Sequence, residues 1–446
     1  MTNIKQVIKR NGAIVDFSPQ RISNAIYRAA VAVGGRDKAT ADALAQQVVT
    51  LLEANITLGQ IPTVEDIQDL VEKVLIENGH AKVAKEYILY REARSRKRRG
   101  EADQSFRPSV NIPWAKIWHV LDWAVEQGVN TVDGLNNRLE RGEFNEIVFE
   151  AERAYGEDIK NAVQSIANRR DQLRAIIITG PSSSGKTTTT FKVGDKLKQL
   201  GMSLVTLNID NYFFNLEMHP KDEFGDYDFE TPQALDLALI NQHLVQLFEG
   251  QQVKIPFYDF KTGQRHDNRT PMKLSPGDTV LIDSLHGLYP TMTEGISDEQ
   301  KFKLYLEPLL QMKDQNGKYV RWTDIRLIRR MLRDATHRAY DPRQTLEHWH
   351  YVRSSELRHI IPYINSSDYI INTGLPFELP IYAGRMLDDF AGWVTEYQDD
   401  SLRRDAFIRA NRVYQLLNQI MPITDDSDIP TDSVLREFIG GSSFKY

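Results

Sequence analysis

One stretch of the chain combines small residues, a lysine and a hydroxyl at a spacing that suits phosphate binding. We call residues 180–187 the phosphate loop, because they fit the pattern G-x-x-x-x-G-K-[ST] in full. Small residues let consecutive backbone N–H groups surround phosphate oxygens, and a following helix adds its positive end. The residues expected to contact a nucleoside triphosphate are Gly180, Pro181, Ser182, Ser183, Ser184, Gly185, Lys186, Thr187 and Thr188.

Three oxygen-bearing side chains could supply the rest of a phosphoryl-transfer site. Thr187 offers a hydroxyl to Mg²⁺, which prefers oxygen ligands. Asp283 stands where an apolar run stops, and we expect it to hold the same ion directly or through water. Asp210 closes the run that follows the phosphate-loop helix and could accept a proton from an attacking hydroxyl. Taken alone, either aspartate would as readily cap a strand or a turn.

A basic helix provides candidate cations for the transferring phosphoryl group. Within residues 324–341 the arginines are Arg326, Arg329, Arg330, Arg333 and Arg338. The first four follow the spacing i, i+3, i+4 and i+7, which places them on one face of a helix, whereas the fifth needs a bend to join them. We expect a mobile lid that carries these charges; the alternative is a solvated basic stripe.

These groups need a rigid frame, and from about residue 173 the chain has the pattern of one. Short apolar runs alternate there with amphipathic segments. The runs are 175–178, 204–207, 280–282 and 369–371. Runs this short and this apolar favour strands covered on both faces, and therefore an α/β fold with a parallel sheet.

The first 99 residues have a different pattern. Asn11-Gly12 lies between short alternating runs and predicts a β-hairpin. Ser18-Pro19 and Pro62-Thr63 predict helix starts. Residues 91–99 hold six basic residues and one acid, which suits a solvated helix end or, alternatively, a phosphate or nucleic-acid contact.

Composition narrows the class of protein. The 446 residues suffice for two or three domains, and the net charge of −6 gives no general basic field for nucleic acid. Cysteine is absent, which excludes disulfides, thiolate zinc sites and cysteine nucleophiles. No apolar run approaches the roughly 20 residues that a membrane helix needs. We expect a cytoplasmic protein without a membrane partner.

We expect four regions along the chain. Residues 1–99 form a small domain with a hairpin and helices, and residues 100–172 form a linker and helical region. Residues 173–395 form the catalytic domain, and residues 396–446 a C-terminal helical extension and tail.

Several separated motifs together resemble the uridine kinase/phosphoribulokinase family of P-loop kinases, over roughly residues 173–375. They are the phosphate loop, Asn208–Phe213, Pro256–Phe260 and the RLIRRMLRD run at 326–334. The uridine kinase-like branch is the most similar, through 222–230, 285–288 and 436–442. The resemblance implies a P-loop NTPase-type parallel sheet flanked by helices, with ATP as phosphoryl donor and Mg²⁺ as cofactor.

The same resemblance implies roles for individual residues. Asp210 would be the general base, and Asp283 takes the position of the family's metal-associated acid. Arg333 and Arg338 match lid arginines. Acceptor-binding positions are Glu230, Tyr258, Phe260 and Arg265.

Two departures from the family bear on the acceptor. Gly263 stands where uridine and cytidine kinases place a histidine that contacts the pyrimidine edge. The lid has Arg338-Ala339-Tyr340 in place of Arg-Gly-Arg. Loss of one hydrogen-bonding side chain can cost orders of magnitude in discrimination, so the acceptor is less defined than the donor.

The first 95 residues resemble an ATP-cone, a nucleotide-sensing module that is mainly helical with a β-hairpin. The matching stretches are 7–12 with Phe17 and Arg21, 63–67 and 87–91. The resemblance implies allosteric binding of ATP or dATP by Lys9, Arg10, Asn11 and Arg21, coupled to oligomer state, and hence a homo-oligomer. For Lys9 and Arg10 the alternative is a purely structural hairpin.

The favoured hypothesis is an ATP-dependent kinase of a nucleoside 5′-hydroxyl. A sugar or another polyol as acceptor, and a nucleotide hydrolase or switch with water as acceptor, remain alternatives. A nucleic-acid-binding regulator is less favoured, because ATP-cone repressors use a cysteine zinc ribbon that this chain cannot build.

Overall fold

The computed structural model describes residues 4–9, 13–56, 61–88, 112–221, 227, 229–337, 341–400 and 403–445. The chain divides into two compact units. The N-terminal unit takes in 1–108 together with 212–236 and 257–266, and we call the latter two ranges the aromatic segments. The sheet unit comprises 109–211, 237–256 and 267–446.

The N-terminal unit begins with the predicted hairpin and continues as helices. Its elements are β1 (Gln6–Ile8), β2 (Ile14–Asp16), α1 (Pro19–Ala32), α2 (Lys38–Asn55), α3 (Val64–Glu77) and α4 (81–88). β1 and β2 pair antiparallel, which confirms both strands of the hairpin; Asn11-Gly12 lies outside the described residues. A core that includes Ile26, Val48 and Leu75 joins the helices.

Both helix starts predicted in this unit are confirmed. Ser18 is the N-cap of α1 and Pro19 its first residue, where a missing N–H costs nothing. Thr63 and Asp66 form a capping box at α3, each side chain accepting a hydrogen bond from the other residue's backbone N–H.

The sheet unit is built on five parallel strands in the order β4-β7-β3-β8-β9. These strands are β3 (Ala175–Thr179), β4 (Ser203–Asn208), β7 (Asp278–Ser284), β8 (Lys301–Glu307) and β9 (Tyr369–Asn372). β3 is central and buried at every residue, as expected for a strand covered on both faces. The four predicted strands are confirmed.

Ten helices of the described residues surround or extend this sheet. They are α5 (Trp114–Glu126), α6 (Val132–Glu140), α7 (Phe144–Ala167), α8 (Lys186–Gln199), α9 (Leu237–Phe248), α10 (Trp322–His337), α11 (Pro342–His359), α12 (Glu378–Tyr397), α13 (Arg404–Leu417) and α14 (Arg436–Ile439). One apolar core runs through the sheet and most of these helices. None of the helices described here is long and apolar enough to cross a membrane.

Two features of the sheets were not predicted. β8 completes the parallel sheet beside β3. β5 (Val253–Asp259) and β6 (Gln264–Met272) form a separate two-stranded sheet. A turn at 260–263 joins them and belongs to the aromatic segments.

Strand register brings the candidate catalytic residues to one edge of the sheet. Asp283 on β7 pairs with Ile178 on β3 and with Asn208 on β4. The phosphate loop therefore leaves β3, and Asp210 follows β4, at the same carboxyl end. This is the edge where open α/β sheets bind ligands.

Candidate active site

The phosphate loop is a backbone cradle between β3 and α8. Ser183 has a φ of 59° and Gly185 a φ of 89°, so both lie in the left-handed region. Alternation of left- and right-handed residues turns successive N–H groups toward one side and creates an anion-binding concavity. α8 begins directly after it at Lys186, with its first-turn N–H groups at the same place.

Lys186 folds back over this cradle. Its ammonium donates to the carbonyl oxygens of Gly180 at 3.0 Å and Pro181 at 3.1 Å. These bonds hold the positive charge beside the first residues of the loop, where an outer phosphate would lie.

The outer side of the loop is fastened by side chains from distant parts of the sheet unit. Arg326 donates to the Ser182 carbonyl at 3.1 Å, and the Thr373 hydroxyl donates to the Ser184 carbonyl at 2.6 Å. These bonds engage carbonyl groups of the loop and so fix the course of its backbone. Thr373 directly follows β9 and was not predicted as a functional residue.

The arginine face of α10 differs from the expected lid. Arg326 and Arg329 are fully buried. Arg326 pairs with Glu307 at 2.9 Å and Glu356 at 2.5 Å, and Arg329 pairs with Glu378 at 2.5 Å. Although burial opposes it, these carboxylates hold the pKa of both guanidinium groups above the ordinary value. The two arginines support the loop from within the core and are not lid cations.

The spacing i, i+3, i+4 and i+7 predicted a shared helix face but could not show that Arg326 and Arg329 are buried. Three glutamates from β8, α11 and α12 make that burial possible, and no local signal in α10 indicates them.

The remaining arginines of α10 lie differently. Arg330 donates to the Ser182 hydroxyl at 3.1 Å, so the structure brings it to the phosphate loop. The Arg333 guanidinium donates a hydrogen bond to the Asp334 carboxylate at 3.3 Å. Arg338 lies outside the described residues.

Asp283 and Asp210 share one electrostatic environment with Lys186. Burial raises the pKa of Asp283 to about 6; Lys186 opposes this rise, whereas Asp210 and Glu437 add to it. Asp210 is exposed, and its backbone N–H donates to the Asn208 side chain at 3.0 Å. The site thus gathers more negative charge than a single lysine balances.

This donor set fits a magnesium ion. No three His, Asp or Glu side chains in the described part of the chain form a closed metal site by themselves. Mg²⁺ is typically bound by one or two carboxylates together with substrate phosphates. The Thr187 hydroxyl at the second position of α8 and the half-buried Asp283 carboxylate supply oxygens of this kind.

In the N-terminal unit, the aromatic segments form a cluster of five rings. Its members are Phe213, His219, Phe229, Tyr258 and Phe260. Phe260 is 62% and Phe229 39% exposed, while Tyr258 is buried. The partly exposed rings offer faces to a flat or apolar ligand group.

The structure places the four predicted acceptor residues in the aromatic segments of this unit. Tyr258 and Phe260 belong to the ring cluster, with ring centroids 4.9 Å apart. Arg265 pairs with Asp236 at 2.9 Å and is thereby fixed in orientation. Glu230 is half-buried.

Gly263 closes the turn between β5 and β6 in a conformation that leaves no room for a side chain. Its φ is 68°, and a Cβ atom there would lie 2.7 Å from Cβ of Leu216. The Leu216 N–H donates to the Gly263 carbonyl at 2.8 Å, which holds the two backbones together. A histidine at this position is incompatible with the observed turn.

The predicted effector residues are described in part. Lys9 directly follows β1, and its N–H donates to Ala13 across the hairpin at 2.7 Å. Arg21 is exposed in the first turn of α1. Arg10 and Asn11 lie outside the described residues.

Comparison with known proteins assigns both parts of the chain. The model of the ATP cone domain matches residues 5–96, and the model of the Phosphoribulokinase / Uridine kinase family matches residues 175–376. Residues 5–96 are thus similar to ATP cones, and residues 175–376 are similar to the kinases of this family. Both resemblances drawn from the sequence, and the α/β fold, are confirmed. We call these two regions the cone and the kinase domain.

The relatives align with the kinase domain. The uridine kinase of Bacillus pumilus is 29% identical over 198 residues, which cover 44% of this chain and 85% of that protein. The uridine kinase of Deinococcus deserti is 28% identical over 198 residues, 44% of this chain and 86% of its own. A solved structure described as a possible uridine kinase from Bacillus stearothermophilus is 16% identical, with a TM-score of 0.30, and covers 47% of this chain and all of its own.

Proposed function

We propose that the protein transfers the γ-phosphoryl group of ATP to the 5′-hydroxyl of a nucleoside of the uridine or cytidine type, under control of ATP or dATP bound to the cone. The observation that carries this proposal is the meeting of Lys186, Asp283 and Asp210 at one edge of the sheet. A phosphate cradle with a lysine suits the donor. A separate exposed carboxylate beside it suits an alcohol acceptor.

Each residue then has a defined task. Lys186 and the N–H groups of the phosphate loop bind the outer phosphates and hold the γ-phosphoryl group in line. Asp210 orients the acceptor hydroxyl and takes its proton as the hydroxyl oxygen bonds to the γ-phosphorus and the bond from that phosphorus to the departing ADP oxygen breaks. Arg330, which reaches the loop at Ser182, stabilises charge on the transferring group. Bound Mg²⁺, held by Thr187 and Asp283, would neutralise charge on the phosphates.

The aromatic segments support a nucleoside as acceptor. The first of them begins at residue 212, two positions after Asp210 in the chain, and partly exposed rings stack well on a flat base. Glu230 is the proposed partner of the sugar hydroxyls.

Gly263 favours a second candidate, a kinase of another sugar or polyol. The turn at 259–263 excludes the histidine that would contact a pyrimidine edge. A site without that hydrogen bond discriminates less between bases.

One experiment separates these candidates and the hydrolase alternative. Release of ADP is measured with the full chain, MgATP and a panel of nucleosides, sugars and no acceptor. The proposal predicts turnover that rises at least tenfold with uridine or cytidine. A rise with a sugar alone favours the second candidate, and turnover that is the same without any acceptor contradicts both.

Contacts within the N-terminal unit support regulation through the cone. The Tyr27 hydroxyl of α1 donates to the Met218 carbonyl at 3.0 Å. Arg36 lies 4.4 Å above the ring of Phe214 and donates to the Gln233 carbonyl. The proposed acceptor-binding Arg265 lies 5.4 Å from the same ring. Nucleotide binding to the cone would therefore act on the aromatic segments and change the KM for the phosphoryl acceptor.

This regulatory part is tested with Arg36→Met in the full chain. The variant is expected to lose most of any change in acceptor KM caused by dATP, because the stacked cation is absent. Lys73→Met on the same cone, which removes an exposed pair with Glu77, is the matched control and should respond like the wild type. An unchanged dATP response in Arg36→Met contradicts the coupling. Light scattering with and without dATP tests the expected homo-oligomer.

A further inference from the structure

The C-terminal segment 429–445 packs into the sheet unit beyond the region matched by the kinase family. Val434, Leu435 and Phe438 are fully buried. Arg436 anchors the segment by donating to the carbonyls of Asp426 at 2.7 Å and Ile429 at 2.9 Å. Because the backbone of this segment is already ordered, a side chain on it can contact another element with little further loss of conformational entropy.

That side chain is Glu437, whose carboxylate reaches the first turn of α8. It accepts hydrogen bonds from the Thr188 N–H at 3.1 Å and from the Thr188 hydroxyl at 2.8 Å. Thr188 is fully buried and Glu437 nearly so. The first-turn N–H groups of a helix have no partner within it, so a buried carboxylate here makes strong charge-assisted bonds.

Neighbouring contacts of the segment fall on the same part of the phosphate-loop helix. The Val434 side chain lies against Gly185, where a Cβ atom would overlap it. Asp432 pairs with Lys192 at 3.0 Å, and the rings of Phe444 and Phe191 stack at 5.3 Å. The C-terminal segment therefore covers Gly185 of the phosphate loop and the first two turns of α8.

Glu437 also lies close to the proposed chemistry. Thr188 follows Thr187, the proposed magnesium ligand, and the charges of Glu437 and Asp210 both act on Asp283. Any rotation of the first turn of α8 would change the direction of the Thr187 hydroxyl and of the N–H groups of the loop. Small misplacements of this kind cost large factors in rate.

We propose that Glu437 is a positioning residue of the phosphoryl-transfer site: its buried carboxylate fixes the first turn of α8 through Thr188 and so orients the Thr187 hydroxyl toward magnesium. This inference rests on the proposed function. The opposite arrangement, in which the carboxylate occupies an N–H group that a nucleotide phosphate would otherwise take, predicts tighter ATP binding when the charge is removed.

The test compares full-length Glu437→Ala, Glu437→Gln and Asp432→Asn. Glu437→Ala removes the carboxylate oxygen that accepts the hydrogen bonds of Thr188. The variant is expected to lower kcat about tenfold or more. It should also raise several-fold the magnesium concentration needed for half-maximal turnover. Glu437→Gln keeps an oxygen that can accept a hydrogen bond from Thr188, so it should restore much of the kcat and of the magnesium dependence. Asp432→Asn breaks only the partly exposed pair with Lys192 and should match the wild type. Melting temperatures are measured for all, and Thr188→Val replaces Glu437→Ala if the latter does not fold.

A second readout is independent of turnover. Calorimetric titration with ATP at stepped magnesium concentrations should show weaker magnesium-dependent binding in Glu437→Ala. An unchanged magnesium dependence, or tighter ATP binding with unchanged kcat, overturns the positioning role. If the wild type shows no acceptor-dependent turnover, the proposed function fails; the calorimetry still decides whether Glu437 acts on the nucleotide site.

Discussion

The phosphate loop and the aromatic segments differ in how their geometry is held. The loop is fastened by buried charge: Arg326 and Arg329 are fully enclosed, each is neutralised by glutamate, and Arg326 also bonds the Ser182 carbonyl. The aromatic segments are held by ring packing, a tight turn at Gly263 and contacts with the cone. The proposed donor site thus rests on a buried core, and the proposed acceptor site on segments that contact the cone.

This difference suggests a division of control. Buried ion pairs tolerate little change, because removal of one partner leaves an uncompensated charge. Ring contacts and a cation over a ring can be gained or lost at small cost. We therefore expect substitutions near the loop to affect catalysis or stability strongly, and substitutions in the aromatic segments to affect acceptor affinity.

The largest effect is expected for Lys186→Ala. The substitution removes the ammonium that lies across the loop, and kcat should fall about 1,000-fold because charge on the phosphates is no longer balanced. Steady-state ADP release measures this, with circular dichroism as the control for folding. Turnover within tenfold of the wild type would contradict the assignment of the loop.

The next effect concerns stability. Arg326→Met leaves Glu307 and Glu356 buried without their main cation and should lower the free energy of unfolding by about 3–5 kcal/mol. Arg343→Met, which removes a half-exposed pair with Glu396, is the control and should cost less than about 1 kcal/mol. Denaturant titration compares the two. If both variants lose the same free energy of unfolding, the buried ion pairs of Arg326 contribute no more to stability than the half-exposed pair of Arg343.

Asp283→Asn should affect stability and activity in opposite directions. The pKa of Asp283 is raised to about 6 in the fold, so its charged form costs stability above that pH and the cost disappears below the ordinary aspartate pKa. At pH 8 the nucleotide-free variant should be more stable by about 1–3 kcal/mol, with the gain shrinking from pH 6 to 4. Phosphoryl transfer should fall. Melting curves across pH measure the first effect; a gain that does not vary with pH would contradict the assigned cause.

The smallest effect is expected in the aromatic segments. Gly263→Ala places a Cβ at positive φ against Leu216 and should cost about 1–3 kcal/mol while raising the acceptor KM several-fold at constant ATP KM. Gly277→Ala is the matched control, since its φ of 89° carries strain but its Cβ meets nothing within 4 Å. A rise in ATP KM equal to that in acceptor KM would break the proposed division between the two regions.

The sequence predicted the strands and helix starts well because their signals are local. The phosphate loop, the apolar runs of the sheet and the cap residues Ser18 and Thr63 each reflect interactions within a few residues. The carboxyl ends of parallel strands then bring Asp210 and Asp283 together by topology alone.

The parts that were not predicted depend on contacts between distant residues. The burial of Arg326 requires Glu356, thirty positions later, and Thr188 meets Glu437 across 249 positions. The strand β8 had a usable signal in the alternation of Phe302, Leu304 and Leu306, which a search for continuous apolar runs passes over.

In the proposed reaction, Asp210 prepares an alcohol for attack on a phosphoryl group held by the phosphate loop. The direct measurement is a single-turnover reaction with γ-labelled ATP and uridine, in the wild type and in Asp210→Asn. We predict label in the nucleoside monophosphate for the wild type, and for the variant a loss of about 100- to 1,000-fold in rate with ATP affinity retained. Transfer by Asp210→Asn at the wild-type rate, or label found only in inorganic phosphate, would contradict the account.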